Sequence, residues 1–306
     1  MTKGQAKGGG EQMKYSVDKI KLEFQYIKTQ RIQDFLNRFS YSSNSDSYYM
    51  SNSLTKCKHN FIFGEDDGKI YLGVEPNWKG SDKKDKSIVL EFNPNKVNPF
   101  LFSDLLWLRN YPSSLIRVCS FDIAVDIPVN YNLVRMMKRD TREKWCKIGK
   151  RYTETQYLGQ LGHNHIKLYN KAVEQKVDVD WTRFEITVKK INSLSCNLKE
   201  FKDSIKLPQL YYVNEQLDFE YSKLSDIQRI VLESIISDIN VLYTIKDNRT
   251  KKKYINLLSS FLSSINISIE EMYKAYIDYT SSMFKFNGIS FSDVDTELIL
   301  SMNTIF

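Results

Sequence analysis

A chain of 306 residues that is 42% hydrophobic can bury a substantial core, either as one large domain or as two smaller ones. Its formal charge of +7 fits a nucleic-acid partner, although acidic proteins and membrane surfaces would attract such a chain too. Four cysteines without C-x-x-C spacing argue against a zinc site or a disulfide framework, and no apolar run reaches the ~18 residues that cross a bilayer. The expectation is a soluble, cytoplasmic protein with no membrane partner.

In chain order, the polar, glycine-rich start reads as a disordered N-terminus over residues 1–13. From Tyr15 to about Val188, apolar residues mostly alternate with polar ones in short runs separated by turn residues, as in half-buried strands. Residues 61–64 and 69–74 flank an Asp-Gly pair, a hairpin signal. Helices are predicted at 29–39, 102–110 and 132–147, and the Ser/Asn/Tyr-rich stretch 41–53 reads as a loop. Between Arg135 and Arg151, eight basic residues stand against Asp140 and Glu143, a net +6 that suits either a solvated face or phosphate contact. After Leu207-Pro208 the period becomes helical: Ile227, Val231, Ile235, Ile239 and Leu242 recur at that spacing, as do Tyr254, Leu258, Phe261 and Ile265. Ser268 with Glu271 suggests a capping box for a further helix carrying Met272 and Tyr276.

Four strand candidates carry the chemistry. In each, apolar side chains take one face and reactive ones the other, because successive side chains alternate. Ile88, Leu90 and Phe92 oppose Val89 and Glu91; Phe121, Ile123, Val125 and Ile127 oppose Asp122, Ala124 and Asp126; Ile166 and Leu168 oppose Lys167, Tyr169 and Lys171. Phe184, Ile186 and Val188 likewise oppose Arg183, Glu185 and Thr187. If these strands share a sheet, its open face suits phosphodiester chemistry: carboxylates for a divalent cation, cations for phosphate charge, and a tyrosine hydroxyl as nucleophile. A solvated sheet face with cross-strand ion pairs has the same pattern, and spacing does not single out Tyr169 among nineteen tyrosines.

Six segments resemble the replication initiation factor (Rep_trans) family of rolling-circle plasmids of Gram-positive bacteria, in the family's order. They are Leu-Glu-Phe-Asn-Pro-Asn-Lys from Leu90, Phe-Asp-Ile-Ala-Val-Asp from Phe121, Glu-Thr-Gln-Tyr-Leu-Gly from Glu154, Lys-Leu-Tyr-Asn-Lys from Lys167 with Glu174, Arg-Phe-Glu from Arg183, and Arg-Thr-Lys-Lys-Lys-Tyr from Arg249. The resemblance implies sequence-specific nicking and closing of one strand at a plasmid origin through a 5′-phosphotyrosine intermediate. It further implies Tyr169 as nucleophile, Lys171 and Arg183 as catalytic cations, and Mg²⁺ or Mn²⁺ held by Asp122 and Glu185 first, then Glu91 and Asp126. DNA contacts would come from Lys167, Arg249, Lys251, Lys252 and Lys253. Origin DNA, a homodimer, and a host helicase and polymerase are the implied partners. Some relatives carry a cation where this chain has Ser120, a role that Arg117 could cover.

The expected fold is thus α+β (mixed α/β): a mainly antiparallel catalytic nicking domain over 14–207, then a helical C-terminal region over 208–306 for DNA recognition and dimerisation. Two other readings stand beside the initiator, namely a relaxase of a mobile or conjugative element with the same chemistry, and a DNA-binding protein without catalysis. His163-Asn164-His165 invites a metal-ligand reading, but Asn between the histidines departs from the His-hydrophobe-His pattern, and a surface turn near DNA is the simpler expectation.

Overall fold

Period-two alternation dominates the first two thirds of the chain, and that part folds mainly as strands. The computed structural model describes residues 12–41, 48–50, 57–64, 68–76, 86–150, 153–189, 191, 194, 196–214 and 224–284. In chain order these form β1 (Lys14–Ile27), α1 (Thr29–Tyr41), β2 (Tyr48–Met50), β3 (Cys57–Phe63), β4 (Ile70–Pro76), β5 (Lys86–Phe92) and β6 (Ile116–Ile127). Next come β7 (Val134–Met137), β8 (Trp145–Lys150), β9 (Thr153–Leu158), β10 (His165–Asn170), α2 (Lys171–Gln175), β11 (Thr182–Val188) and α3 (Leu198–Ser204). The chain continues with β12 (Gln209–Val213), α4 (Asp226–Ser237), α5 (Asn248–Leu258), β13 (Leu262–Ile265) and α6 (Ile269–Met283). The α+β class expected from the sequence is observed.

The chain divides into two units. One, here the β1–β5 unit, comprises Ser16–Ile123, Thr187–Ser204 and Ile269–Phe306; the other, the β7–β13 unit, comprises Met1–Tyr15, Ala124–Ile186 and Ile205–Ser268. The division does not follow a sequential boundary at residue 207, since each unit collects segments from both sides of it.

In the β1–β5 unit the strand order is β2-β3-β4-β5-β1, continuing to the first half of β6. The pairs β2/β3, β3/β4, β4/β5 and β1/β5 are antiparallel. Opposite Phe24 and Ile27 the register slips by one residue, and Tyr26 between them has φ 58°, the signature of a β-bulge. The buried face of the sheet carries Ile88, Leu90, Phe92, Phe121 and Ile123. Over it lie Phe201 of α3 and Tyr276 of α6, whose rings stand 6.0 and 4.7 Å from that of Phe121. The buried positions of α6, Met272, Tyr276, Thr280 and Met283, recur every three or four residues, so one stripe of the helix faces the core.

In the β7–β13 unit the second half of β6 continues to β11, β10, β9 and β8, and a separate three-stranded sheet has the order β13-β12-β7. Against the small sheet sits a helical core of Leu232, Ile235, Ile239, Leu242, Tyr254, Leu258 and neighbours. Ser225 caps α4 with the full capping box to Gln228, and Asp247 caps α5 by accepting from the Thr250 N–H.

Several sequence expectations need correction. Residues 132–147 are not helical: they form a short 3-10 turn, β7 and the start of β8, and Arg135 hydrogen-bonds the carbonyls of Ile236 and Asn132. Its guanidinium therefore closes the last turn of α4, where a cation complements the helix dipole, and is spent on structure. Residues 102–110 contain only a 3-10 turn, Leu106–Asn110. The stretch 41–53 holds β2, and Phe261 and Ile265, expected to continue the helix of Tyr254 and Leu258, fall in a turn and in β13. Among the described residues after 208, helices are therefore mixed with two strands. The arms of the predicted hairpin pair as expected, Phe61 opposite Leu72 and Phe63 opposite Ile70, while its turn residues 65–67 lie outside the described residues. The 1–11 segment is outside them too.

Candidate active site

Strands β10 and β11 build the site. On β10, Ile166 and Leu168 point into the core, so Lys167 and Tyr169 must rise from the other face; on β11, Phe184 and Ile186 do the same for Arg183 and Glu185. The two strands are neighbours, and their polar side chains meet. Tyr169 Oη donates to Glu185 Oε1 at 2.6 Å, and Lys167 Nζ donates to Glu185 Oε2 at 3.1 Å. Asn170 ends β10 directly after the tyrosine by accepting from the Val173 N–H, which caps α2 and places Lys171 in its first turn.

This face was expected to be solvated. Instead Glu185 is 7% exposed and Arg183 9%. A buried carboxylate is costly unless its charge is matched and its oxygens are bonded, and here the ammonium and the phenol do both. Burial comes first among the causes that raise the Tyr169 phenol above its ordinary value, followed by the negative charge of Glu185 and the hydrogen bond to it. The phenol is therefore protonated at neutral pH, with a carboxylate oxygen already in line to take its proton.

Burial likewise raises Tyr71, Tyr276 and Tyr279, and that has a consequence in alkali. Below the unfolded tyrosine value of ~10, folded and unfolded chains both hold these protons, and stability is unaffected. Above it the unfolded chain ionises while the folded phenols stay protonated, so stability falls as pH rises. Exposed tyrosines such as Tyr26 ionise first; the last part of the tyrosine absorbance change is expected to coincide with the loss of circular dichroism above pH ~10, and full ionisation with the fold intact would contradict the burial of these rings.

Around the Tyr169–Glu185 pair stand two further ion pairs. Arg183 clasps Asp126 of β6 through Nε at 2.6 Å and Nη2 at 2.8 Å, a two-pronged pair, and lies 5.9 Å from the Trp181 ring centroid. Lys171 pairs with Glu174 one helical turn on, its Nζ 5.7 Å from the Tyr169 ring centroid. Across β9/β10, Tyr157 is opposite Lys167 and Thr155 opposite Tyr169, so those two side chains share the face.

The sequence-predicted residues are thus partly assembled. Tyr169, Lys167, Glu185, Arg183, Asp126 and Lys171 gather in the β7–β13 unit. Glu91 lies in the β1–β5 unit, with Lys19 at 2.5 Å and Lys21 at 3.5 Å, and Asp122 is half-buried on the part of β6 that belongs to that unit. Arg117 pairs with the buried Glu23 at 2.7 Å. Arg249, Lys252 and Lys253 are exposed on α5, whereas Lys251 is partly covered with its Nζ 4.9 Å from the Tyr243 ring centroid. His165 is not on a surface turn; it is buried as the first residue of β10, stacked on Tyr157 at 5.8 Å.

The Mg²⁺ or Mn²⁺ implied by the resemblance would draw on carboxylates that are ion-paired as folded. Among the described residues no group of three or more His, Cys, Asp or Glu could hold a metal ion. Asp126 is held by Arg183, and Glu185 would have to release Lys167. Sequence reasoning missed Glu23, which takes hydrogen bonds from Ser87 and Gln25 beside its Arg117 pair. The signal was present, since Lys19, Lys21, Glu23 and Gln25 alternate with Ile20, Leu22 and Phe24 along β1.

The fold and site describe an α+β protein with a tyrosine–carboxylate–lysine cluster on an antiparallel sheet. No protein-family model matches the chain, and no curated protein matches it. Among solved structures it is similar to a rolling circle replication initiator protein from Geobacillus stearothermophilus, at 14% identity and a TM-score of 0.34, covering 90% of this chain and 98% of that one. A TM-score of 0.34 lies below the range of a shared fold, so no function is carried over from that protein. No helix among the described residues is long and apolar enough to cross a membrane.

Proposed function

We propose that this chain nicks and recloses one strand of DNA to initiate rolling-circle replication at a plasmid origin. The observation that carries the reading is the 2.6 Å hydrogen bond from Tyr169 Oη to Glu185 Oε1, with Lys167 on the carboxylate's other oxygen. Supporting it are the six segments that resemble those of the replication initiation factor family.

In the proposed reaction the Tyr169 proton passes to Glu185 Oε1 as Oη attacks phosphorus. The Oη–P bond forms and the P–O3′ bond breaks; the 3′ oxygen takes a proton from solvent and becomes the primer end for a polymerase. Closing reverses the order: the 3′ hydroxyl gives its proton to solvent as its oxygen attacks phosphorus, the P–O3′ bond forms as the Oη–P bond breaks, and the departing phenolate recovers its proton from Glu185. Lys167, about a third exposed, can reach from Glu185 toward a phosphate oxygen, and Arg183 and Lys171, ion-paired with Asp126 and Glu174, stand at the same face. No step is assigned to a metal; Mg²⁺ or Mn²⁺ would be an addition that rearranges the Lys167 pair. A homodimer and a helicase partner belong to the same proposal, as does DNA contact through Arg249, Lys252 and Lys253.

The test is covalent. Supercoiled plasmids bearing random inserts are incubated with the protein, digested and analysed by mass spectrometry; a nucleotide adduct on the peptide containing Tyr169 is expected. An adduct on another tyrosine, or none with any insert, would remove the reading.

A further inference from the structure

We propose that the turn between β9 and β10 is a DNA-opening wedge, in which Leu161 enters a base step while cations at the turn's foot hold the flanking phosphates. This rests on Tyr169 acting on DNA. Leu161 is 89% exposed, the most of any large apolar side chain among the described residues. Single exposed apolar residues are common on proteins, so exposure alone decides nothing. The turn's construction does.

The turn is braced on several sides. The Gly159 N–H donates to the Lys144 carbonyl at 2.8 Å, the Lys206 N–H to Asn164 Oδ1 at 3.0 Å, and Arg139 Nη2 to the Asn164 carbonyl at 3.0 Å. Gly159 (φ 85°), Gly162 (φ 142°) and Asn164 (φ 57°) take backbone conformations that hold the tip tight. A Cβ on Gly159 would stand 3.1 Å from Arg139 Nη2 and 3.3 Å from the Asn164 carbonyl oxygen, so glycine fits there and larger residues crowd the brace. Leu161 is thus presented to solvent by a stiff support.

Charge selects the partner. Arg142, Lys144 and Lys206 are exposed, and Lys144 and Lys206 bond the turn directly through their backbones. Arg139, which bonds both the turn and the Lys206 carbonyl, is neutralised by Glu143. An apolar tip over a cationic foot is the arrangement with which proteins unstack a base step while gripping phosphates. One leucine is far too little for a protein interface, which needs roughly 800 Å² per side.

Position supplies the purpose. Tyr169 is half-buried on the sheet face, so its target phosphate must descend to it; a stiff duplex resists such bending, whereas an unpaired strand does not. From His165, at the end of the turn, to Tyr169 is about 13 Å at ~3.3 Å per strand residue, or roughly four steps of a DNA strand at ~3.4 Å each.

Leu161→Ser is the test, since so exposed a side chain is dispensable for folding. On a duplex selected from a random pool by binding, nicking by Leu161→Ser is expected to fall at least tenfold, while the single-stranded form of the same sequence is cut within twofold of wild type. No loss on duplex, or equal loss on both forms, would overturn the wedge. Permanganate reactivity of thymines in the same duplex, bound by protein carrying Tyr169→Phe, separates the two ideas. Reactivity lost on adding Leu161→Ser supports the wedge even if nicking is never seen, and unchanged reactivity overturns it even if Tyr169 is the nucleophile. Vesicle binding that requires Leu161, with no effect on DNA, would assign the turn to a lipid surface and overturn the proposal.

Discussion

Tyr169→Phe is expected to bind DNA as the parent does and to nick it at least ~10⁴-fold more slowly, to the background of the assay, because no other group replaces a lost nucleophile. The variant keeps the ring and its packing beside Lys171 and loses only the hydroxyl. Glu185 Oε1 then lacks the phenol's donated hydrogen bond, while Lys167 still balances its charge, so stability should fall by only about 1–2 kcal/mol. Nicking of supercoiled DNA on gels, with binding followed by fluorescence anisotropy, separates the two effects. If nicking persists at the parental rate, the nucleophile is elsewhere, and Tyr169 and Glu185 are a cross-strand structural pair.

Glu185→Gln is the second. Glutamine has the same shape and can still meet the phenol, but it cannot accept the proton, so the cleavage rate is expected to drop by about 10²–10⁴-fold. The change also removes a negative charge 3.1 Å from Lys167, which frees the ammonium for phosphate, and DNA binding should be unchanged or tighter. A purely structural Glu185 would give the opposite split: a less stable protein with an unaltered rate. Single-turnover cleavage beside thermal unfolding distinguishes them, and a rate within threefold of the parent would end the assignment of Glu185 as base.

Both expectations depend on a face whose composition was legible and whose state was not. The alternation along β10 and β11 put Lys167, Tyr169, Arg183 and Glu185 on the side opposite Ile166, Leu168, Phe184 and Ile186, as observed. The burial of Arg183 and Glu185 could not be read the same way, since a polar residue on a strand signals only that it avoids the apolar face. The run around Arg135 misled for a related reason. Four-residue β7 is too short to show a period of two, and it is a strand because β12, some seventy positions later in the chain, pairs with it. Within the basic run itself, Arg135 and Arg139 are spent on carbonyls and on Glu143, whereas Arg142 and Lys144 stay exposed.

By itself, the order of side chains determined the α+β class, the faces of the four central strands and the helical stripes that became α4, α5 and α6, because these follow from local periodicity. Only the tertiary structure decided which strands are neighbours, and with that which acid meets Tyr169, which arginine clasps Asp126 and where Glu91 goes. Strand pairing joins residues far apart in the chain through backbone hydrogen bonds that are alike for every sequence. The choice of partner is therefore made by the packing of the whole sheet and its core, which no single segment encodes.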